Sequence, residues 1–166
     1  MTTKTQSYLS TARRSAVEFL QDIGFLRPPT LQVAAICHRR GTNGLEVLLI
    51  TSLGTKQWII PKGWPKKKIS SGQTALEEAY EEAGVHGTVS QAPIGRYNYQ
   101  KFTKKGLALD CRASVYEINV SAMDDAFPEA GKRQLEWHTP EAAAALVSNA
   151  ELSALLKAFS PSLPQD

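Results

Sequence analysis

Four glutamates, Glu77, Glu78, Glu81 and Glu82, crowd into six consecutive residues between Ser70 and Gly84. That segment has a legible start and stop for a helix. Ser70, with Gln73 three residues later, makes a capping box, and Gly84 supplies the C-terminal stop. Leu76, Ala79, Tyr80 and Ala83 recur at helical spacing and predict an apolar stripe, with the four glutamates on the opposite side. Glu77/Glu81 and Glu78/Glu82 are like-charge pairs at i,i+4, each costing about 0.2–0.5 kcal/mol on an isolated helix. The segment contains no basic residue to offset them. A solvated acidic face is the ordinary reading of such a block. The tight Pro-Lys-Gly-Trp-Pro loop just before it points elsewhere, because it can bring backbone carbonyls beside the carboxylates. A divalent cation, which takes oxygen ligands, would convert the repulsion into binding.

The rest of the chain fits that reading. Its 166 residues suit one ordinary domain. Net charge is only +3, but the charges are segregated, with basic runs at Lys66–Lys68 and around Lys101, Lys104 and Lys105. Basic loops beside an acidic helix suit a metal and a small, multiply anionic ligand. Nucleic acid would call for a broader basic face and a higher charge, so it is not the expected partner. No apolar run approaches the roughly 18 residues of a membrane span, so no membrane partner is expected. Cys37 and Cys111 lie in apolar stretches and read as buried thiols in a reducing, cytoplasmic setting. No Cys or His spacing suits zinc.

Residues 31–38, 45–52, 57–60, 85–89, 95–102, 107–120 and 133–138 read as strands. Thr-Asn-Gly at 42–44 marks a hairpin turn, residues 61–69 a loop, and 124–131 another. Thr139 caps a last helical region, interrupted near Ser148-Asn149, and the tail from residue 161 is expected to fray. Near the N-terminus, Leu9, Ala12, Ala16, Phe19, Leu20 and Ile23 predict an amphipathic helix. The run of Lys4, Arg13 and Arg14 without an acid before Glu18 is only weakly like a transit peptide.

From Gly63 to Val85 the chain resembles the Nudix box: Gly63, Glu78, Ala79, Glu81, Glu82, Gly84 and Val85 all fall in register. Trp58-Ile59-Ile60-Pro61-Lys62-Gly63 is similar to that family's entry into the box. The resemblance implies a single-domain α/β fold, the Nudix α/β/α sandwich with a mixed β-sheet, over residues 28–160. Residues 1–27 would be a helical extension and 161–166 a tail. It implies that Glu78, Glu81 and Glu82 are catalytic and bind Mg2+, with Mn2+ as a substitute, helped by the backbone carbonyl of Lys62. The implied reaction is hydrolysis of a phosphoanhydride bond.

Two positions depart from the box. Ile69 stands where the family has Glu, and Glu77 where it has Arg, two residues that commonly interact. Their joint replacement is coherent, since losing one alone would strand a charge. Glu77 reads as a spectator more readily than as an added ligand. The proton acceptor is left open, with Glu129 a second candidate beside its simpler reading as a solvated loop acid. Lys62, Lys66, Lys67, Arg96, Lys104 and Arg133 are the expected phosphate-binding residues.

The pattern Phe127-Pro128-Glu129, Arg133, Glu136-Trp137, Glu141-Ala142 is similar, more loosely, to diphosphoinositol polyphosphate phosphohydrolases and their bacterial relatives. Inositol and dinucleoside polyphosphates are therefore both open as small-molecule substrates. Trp58, Trp64, Tyr97, Tyr99 and Phe102 would either stack on a base or pack within the sheet. The alternative to an enzyme is a non-catalytic module that binds a phosphorylated ligand through a degraded box.

Overall fold

Strand residues alternate between the two faces of a sheet, and here both faces are covered, so the central strands are apolar throughout. The computed structural model describes residues 28–42, 44–103 and 106–163. The expected N-terminal helix and extension, together with Lys104 and Lys105, lie outside the described residues.

The strands are β1 (Thr30–Gly41), β2 (Gly44–Thr51), β3 (Trp58–Ile59), β4 (Lys62–Gly63), β5 (Val85–Val89), β6 (Gly95–Phe102), β7 (Ala108–Met123) and β8 (Leu135–His138). The helices are α1 (Ser71–Ala83), α2 (Pro140–Leu146) and α3 (Ala150–Lys157). The sheet runs β3-β2-β1-β7-β5, with β4 on β1, β6 on β7 and β8 on β2. β1 and β7 are parallel, whereas β1–β2, β6–β7 and β2–β8 are antiparallel. The mixed sheet expected from the sequence is present.

One face of the sheet, with Ile36, Val47, Leu49, Tyr97 and Val115, packs against α2 and α3 through Ala143, Ala144, Leu152 and Leu156. The other, with Val33, Ala35, Leu48, Ile50 and Ile118, packs against α1 through Ala75, Ala79 and Ala83. Cys37 and Cys111 are buried free thiols, as the sequence suggests.

Three elements differ from the sequence reading. Residues 61–69 are not wholly loop: Lys62 and Gly63 pair with Ala34 and Val33 of β1, and Ala35 N–H donates to the Pro61 carbonyl at 2.9 Å. Proline lacks an N–H but keeps its acceptor, so the pairing continues past it. The tail is tied down at its start: Ser162 and Leu163 donate their N–H groups to the fully buried Glu117 carboxylate at 2.9 and 3.0 Å.

The third difference concerns α1. Its caps are as expected, with the Ser70 side chain accepting from Gln73 N–H and Gly84 left-handed at φ 69°. Its buried residues, however, are Gly72, Thr74, Ala75, Ala79 and Ala83, joined by Glu82. Small residues let the helix lie close to the sheet, whereas Tyr80 is displaced to the flank, where its ring meets His86 at 5.1 Å. The helix is thus turned relative to the expected stripe, and Glu82 goes inward instead of out.

Candidate active site

Four segments meet at the glutamates: α1, the β4 turn before it, the end of β2, and the loop between β7 and β8. Pairing of β8 with β2 brings the last two together. Thr51 N–H donates to Gln134 O at 3.0 Å, and Gln134 N–H donates to Thr51 Oγ1 at 2.9 Å. Glu129 N–H donates to the Glu81 carbonyl at 3.0 Å, fastening the same loop to α1.

Glu82 is the innermost acid, only 8% exposed. Its Oε2 accepts from Lys62 N–H at 3.0 Å and its Oε1 from Arg133 Nη2 at 2.5 Å. Burial pushes its carboxyl up to about 7, against the pull of Arg133 and of the Lys62 N–H. Glu78 is half-buried and also raised, first by burial, with the Lys66 charge opposing. Its carboxylate lies over Gly63: a side chain there would begin 2.1 Å from it, so only glycine leaves the room.

Glu77 and Glu81 are more exposed and share one cation. Lys66 Nζ is 2.6 Å from Glu81, 3.0 Å from Glu77 and 3.8 Å from Glu78. The hydrogen bonds to Glu81 and Glu77 hold the Lys66 ammonium well above the usual lysine range. The helix itself has no counter-charge, but the preceding loop supplies one. Glu77, which the box departure leaves without its usual role, is not stranded.

Among the described residues, no three carboxylates already surround a single point ready for an ion. Lys66 occupies the focus of Glu77, Glu78 and Glu81, and Glu82 is turned to Arg133. The donor set still fits a hard divalent cation. The oxygens converge on one positive charge, and all are carboxylate.

The expected phosphate-binding residues divide sharply. Lys66 lies among the glutamates, and Lys67 beside it is exposed. Burial lowers the Lys62 ammonium, Glu82 opposes that shift, and the group sits 5.2 Å from the Tyr99 ring centre. Arg96 is exposed on β6 and makes no ion pair among the described residues. Arg133 is not free for a ligand: its side chain is 6% exposed and engaged with Glu82 and Glu129. Glu129 is correspondingly not a solvated loop acid, because its Oε2 lies 2.6 Å from Arg133 Nε.

Of the five aromatics, Tyr97 is core, while Trp58 and Tyr99 pack against that core. Trp64 and Phe102 remain exposed, with Lys101 Nζ 4.9 Å from the Trp64 ring centre.

No family model matches the chain. Nudix hydrolase 21, chloroplastic, of Arabidopsis thaliana is 30% identical over 122 residues, covering 73% of this chain and 60% of that protein. Diphosphoinositol polyphosphate phosphohydrolase NUDT4B of Homo sapiens is 27% identical over 112 residues, 66% of this chain and 58% of its own. Among solved structures, the C. elegans Ap4A hydrolase superposes with a TM-score of 0.55 over 78% of this chain and 94% of that one, at 19% identity. The chain belongs to the Nudix family. It spans about half the length of the curated relatives it matches.

As a Nudix chain it keeps the three box glutamates on α1 and the glycine beneath Glu78. The usual loop-glutamate to helix-arginine contact is absent. A contact of opposite polarity, loop Lys66 to helix Glu77, joins the same two segments. Sequence reasoning missed this pairing, and helical periodicity placed Glu82 opposite the apolar stripe. The spacing of Glu129 and Arg133, i and i+4, was the available signal for their ion pair.

Proposed function

We propose that this chain is a metal-dependent pyrophosphohydrolase that cleaves a phosphoanhydride bond in a nucleoside or inositol polyphosphate. The observation that carries it is the convergence of Glu77, Glu78 and Glu81 on a single positive charge beside the buried, doubly held Glu82. Glu78, Glu81 and Glu82, with the Lys62 carbonyl, would hold magnesium or manganese. When bound, the ion supplies Lewis acidity and makes water a better nucleophile. Lys66 and Lys67 bind phosphate oxygens as point charges at the mouth of the cluster, with Arg96, exposed on β6, a further candidate. A carboxylate of the cluster would accept the proton released by the attacking water, with Glu129, held through Oε2 by Arg133, a second candidate.

Both substrate classes fit. The lysine-rich surround suits a densely phosphorylated ring, and exposed Trp64 suits a base. The two buried free thiols agree with a reducing compartment such as the cytoplasm. No helix among the described residues is long and apolar enough to cross a membrane.

The test is a magnesium-dependent screen of diphosphoinositol polyphosphates, dinucleoside polyphosphates and nucleoside triphosphates, read by product release. Turnover of one class above the rest is expected. Saturable binding with no turnover of any of them would favour a ligand-binding module, the reading that Ile69 and Glu77 motivate.

A further inference from the structure

Arg133 is the one expected phosphate-binding residue that the fold draws fully inside. Nε donates to Glu129 Oε2 at 2.6 Å, Nη2 to Glu82 Oε1 at 2.5 Å and Nη1 to the Thr51 carbonyl at 3.0 Å. Three of its nitrogens thus hold oxygens from three separate segments. A phosphate would have to displace two carboxylates from a side chain that is 6% exposed.

A planar guanidinium fixes a carboxylate in orientation as well as in charge, which an ammonium on a flexible stem does not. At Glu82 that orientation is completed from the other side by Lys62 N–H, so both carboxylate oxygens are held by groups outside α1. Arg133 is itself aligned by Glu129 and Thr51. Its loop is fastened to α1 by the Glu129 N–H to Glu81 carbonyl bond. The helix, the loop and the end of β2 therefore close a ring of contacts around Glu82. Lys66 serves only the outer glutamates.

We propose that Arg133 is the positioning residue for Glu82, supplying from the β7–β8 loop the fixed guanidinium that the Nudix box carries on the helix where this chain has Glu77. The proposal rests on Glu82 being a metal ligand. Arg133 acts through Glu82 and touches neither the substrate nor the ion. Groups that hold a metal ligand in orientation typically change metal affinity by about 10–100-fold when removed.

The experiment measures Mn2+ affinity without substrate for the full chain, in wild type, Arg133→Gln, Arg133→Lys, Glu82→Gln and the Arg133→Gln/Glu82→Gln double variant. Arg133→Gln should weaken Mn2+ binding about tenfold or more. Arg133→Lys, which keeps the charge but not the fork, should recover only part of that loss. In the Glu82→Gln background Arg133→Gln should add nothing beyond about twofold, because the residue through which it acts is already gone. With saturating metal, kcat should fall while KM for the polyphosphate holds. Arg133→Lys keeps the test open if Arg133→Gln does not fold. An unchanged Mn2+ affinity with a raised KM would make Arg133 a phosphate-binding residue and overturn the proposal. Additive losses in the double variant would also overturn it. Wild-type Mn2+ affinity in Glu82→Gln alone would sink the ligand reading of Glu82 itself, a separate and recognisable failure.

Discussion

Glu82→Gln is expected to lower turnover by about two orders of magnitude or more, the scale of losing a key electrostatic group, while the fold persists. The amide is nearly isosteric, and its carbonyl can still accept from Arg133 or Lys62 N–H. What disappears is the negative charge at the centre of the site. A variant within about threefold of wild type would remove Glu82 from the chemistry. The same substitution has an unusual effect on stability. Burial raises the folded-state carboxyl to about 7, against about 4.3 in an unfolded chain. The folded form therefore holds that proton more tightly. Its stabilising contribution is complete below about pH 4.3 and is lost as pH rises through about 7. Glutamine carries no such loss. In chelator at pH 8, Glu82→Gln should melt above wild type, and the gap should close toward pH 4. Thermal melts across that range check it; a gap that widened on acidification would contradict the assignment of the buried charge.

Glu117→Ala should be strongly destabilising although it lies away from the glutamate cluster. Glu117 is fully buried at the centre of β7. Its carboxylate accepts from the N–H groups of Ser162 and Leu163 and makes a very short contact with the Ser162 hydroxyl. His38 Nε2 lies 2.9 Å from the carboxylate, and the His38 ring rests 5.4 Å from that of Phe159. Alanine would leave two N–H groups and an imidazole without their partner. Leaving buried donors without an acceptor costs about 1–3 kcal/mol each. At roughly 2–4 °C per kcal/mol for a chain of this size, the Tm should fall by about 10 °C. Ser162→Ala should cost about 1 kcal/mol, as it removes one hydroxyl bond.

Burial works to raise Glu117, but the bonds from Ser162 and Leu163 outweigh it and leave the carboxyl below its usual range. Burial lowers His38 despite Glu117. A lowered carboxyl stabilises above its unfolded pKa of about 4.3 and loses that contribution as pH falls through the folded value. A histidine kept neutral by burial likewise costs stability as pH drops below about 6.5. Acidification below pH 7 should therefore take stability from this network, opposite in sign to the Glu82 contribution, and Glu117→Ala should lack the carboxylate part of that loss relative to wild type. A melting-temperature drop below about 2 °C for Glu117→Ala would show that the network contributes little.

Much of this was legible in the sequence because the signals were local. Alternating and β-branched runs located the strands, and Ser70, Gln73 and Gly84 bounded α1. The in-register glutamates, with Gly63, marked the family and a candidate site. What the sequence did not reveal depended on contacts between distant segments. The tilt of α1 was decided by which side chains could approach the sheet. Three alanines prevailed over Tyr80, and that carried Glu82 inward. Arg133 looked like a phosphate-binding residue because its three oxygen partners come from Thr51, Glu82 and Glu129, which only the β2–β8 pairing brings together. Lys66 could be placed near the acids from its loop, but its focus on three carboxylates required the loop's path. The tail looked free because nothing in its composition names Glu117 as its anchor.

The role proposed for the glutamate cluster is to hold a divalent cation for anhydride hydrolysis. The most direct measurement is turnover of the best polyphosphate substrate before chelation, in excess chelator, and after magnesium or manganese is restored. Complete loss in chelator and recovery on restoring either ion are expected. Full turnover in excess chelator would contradict that role.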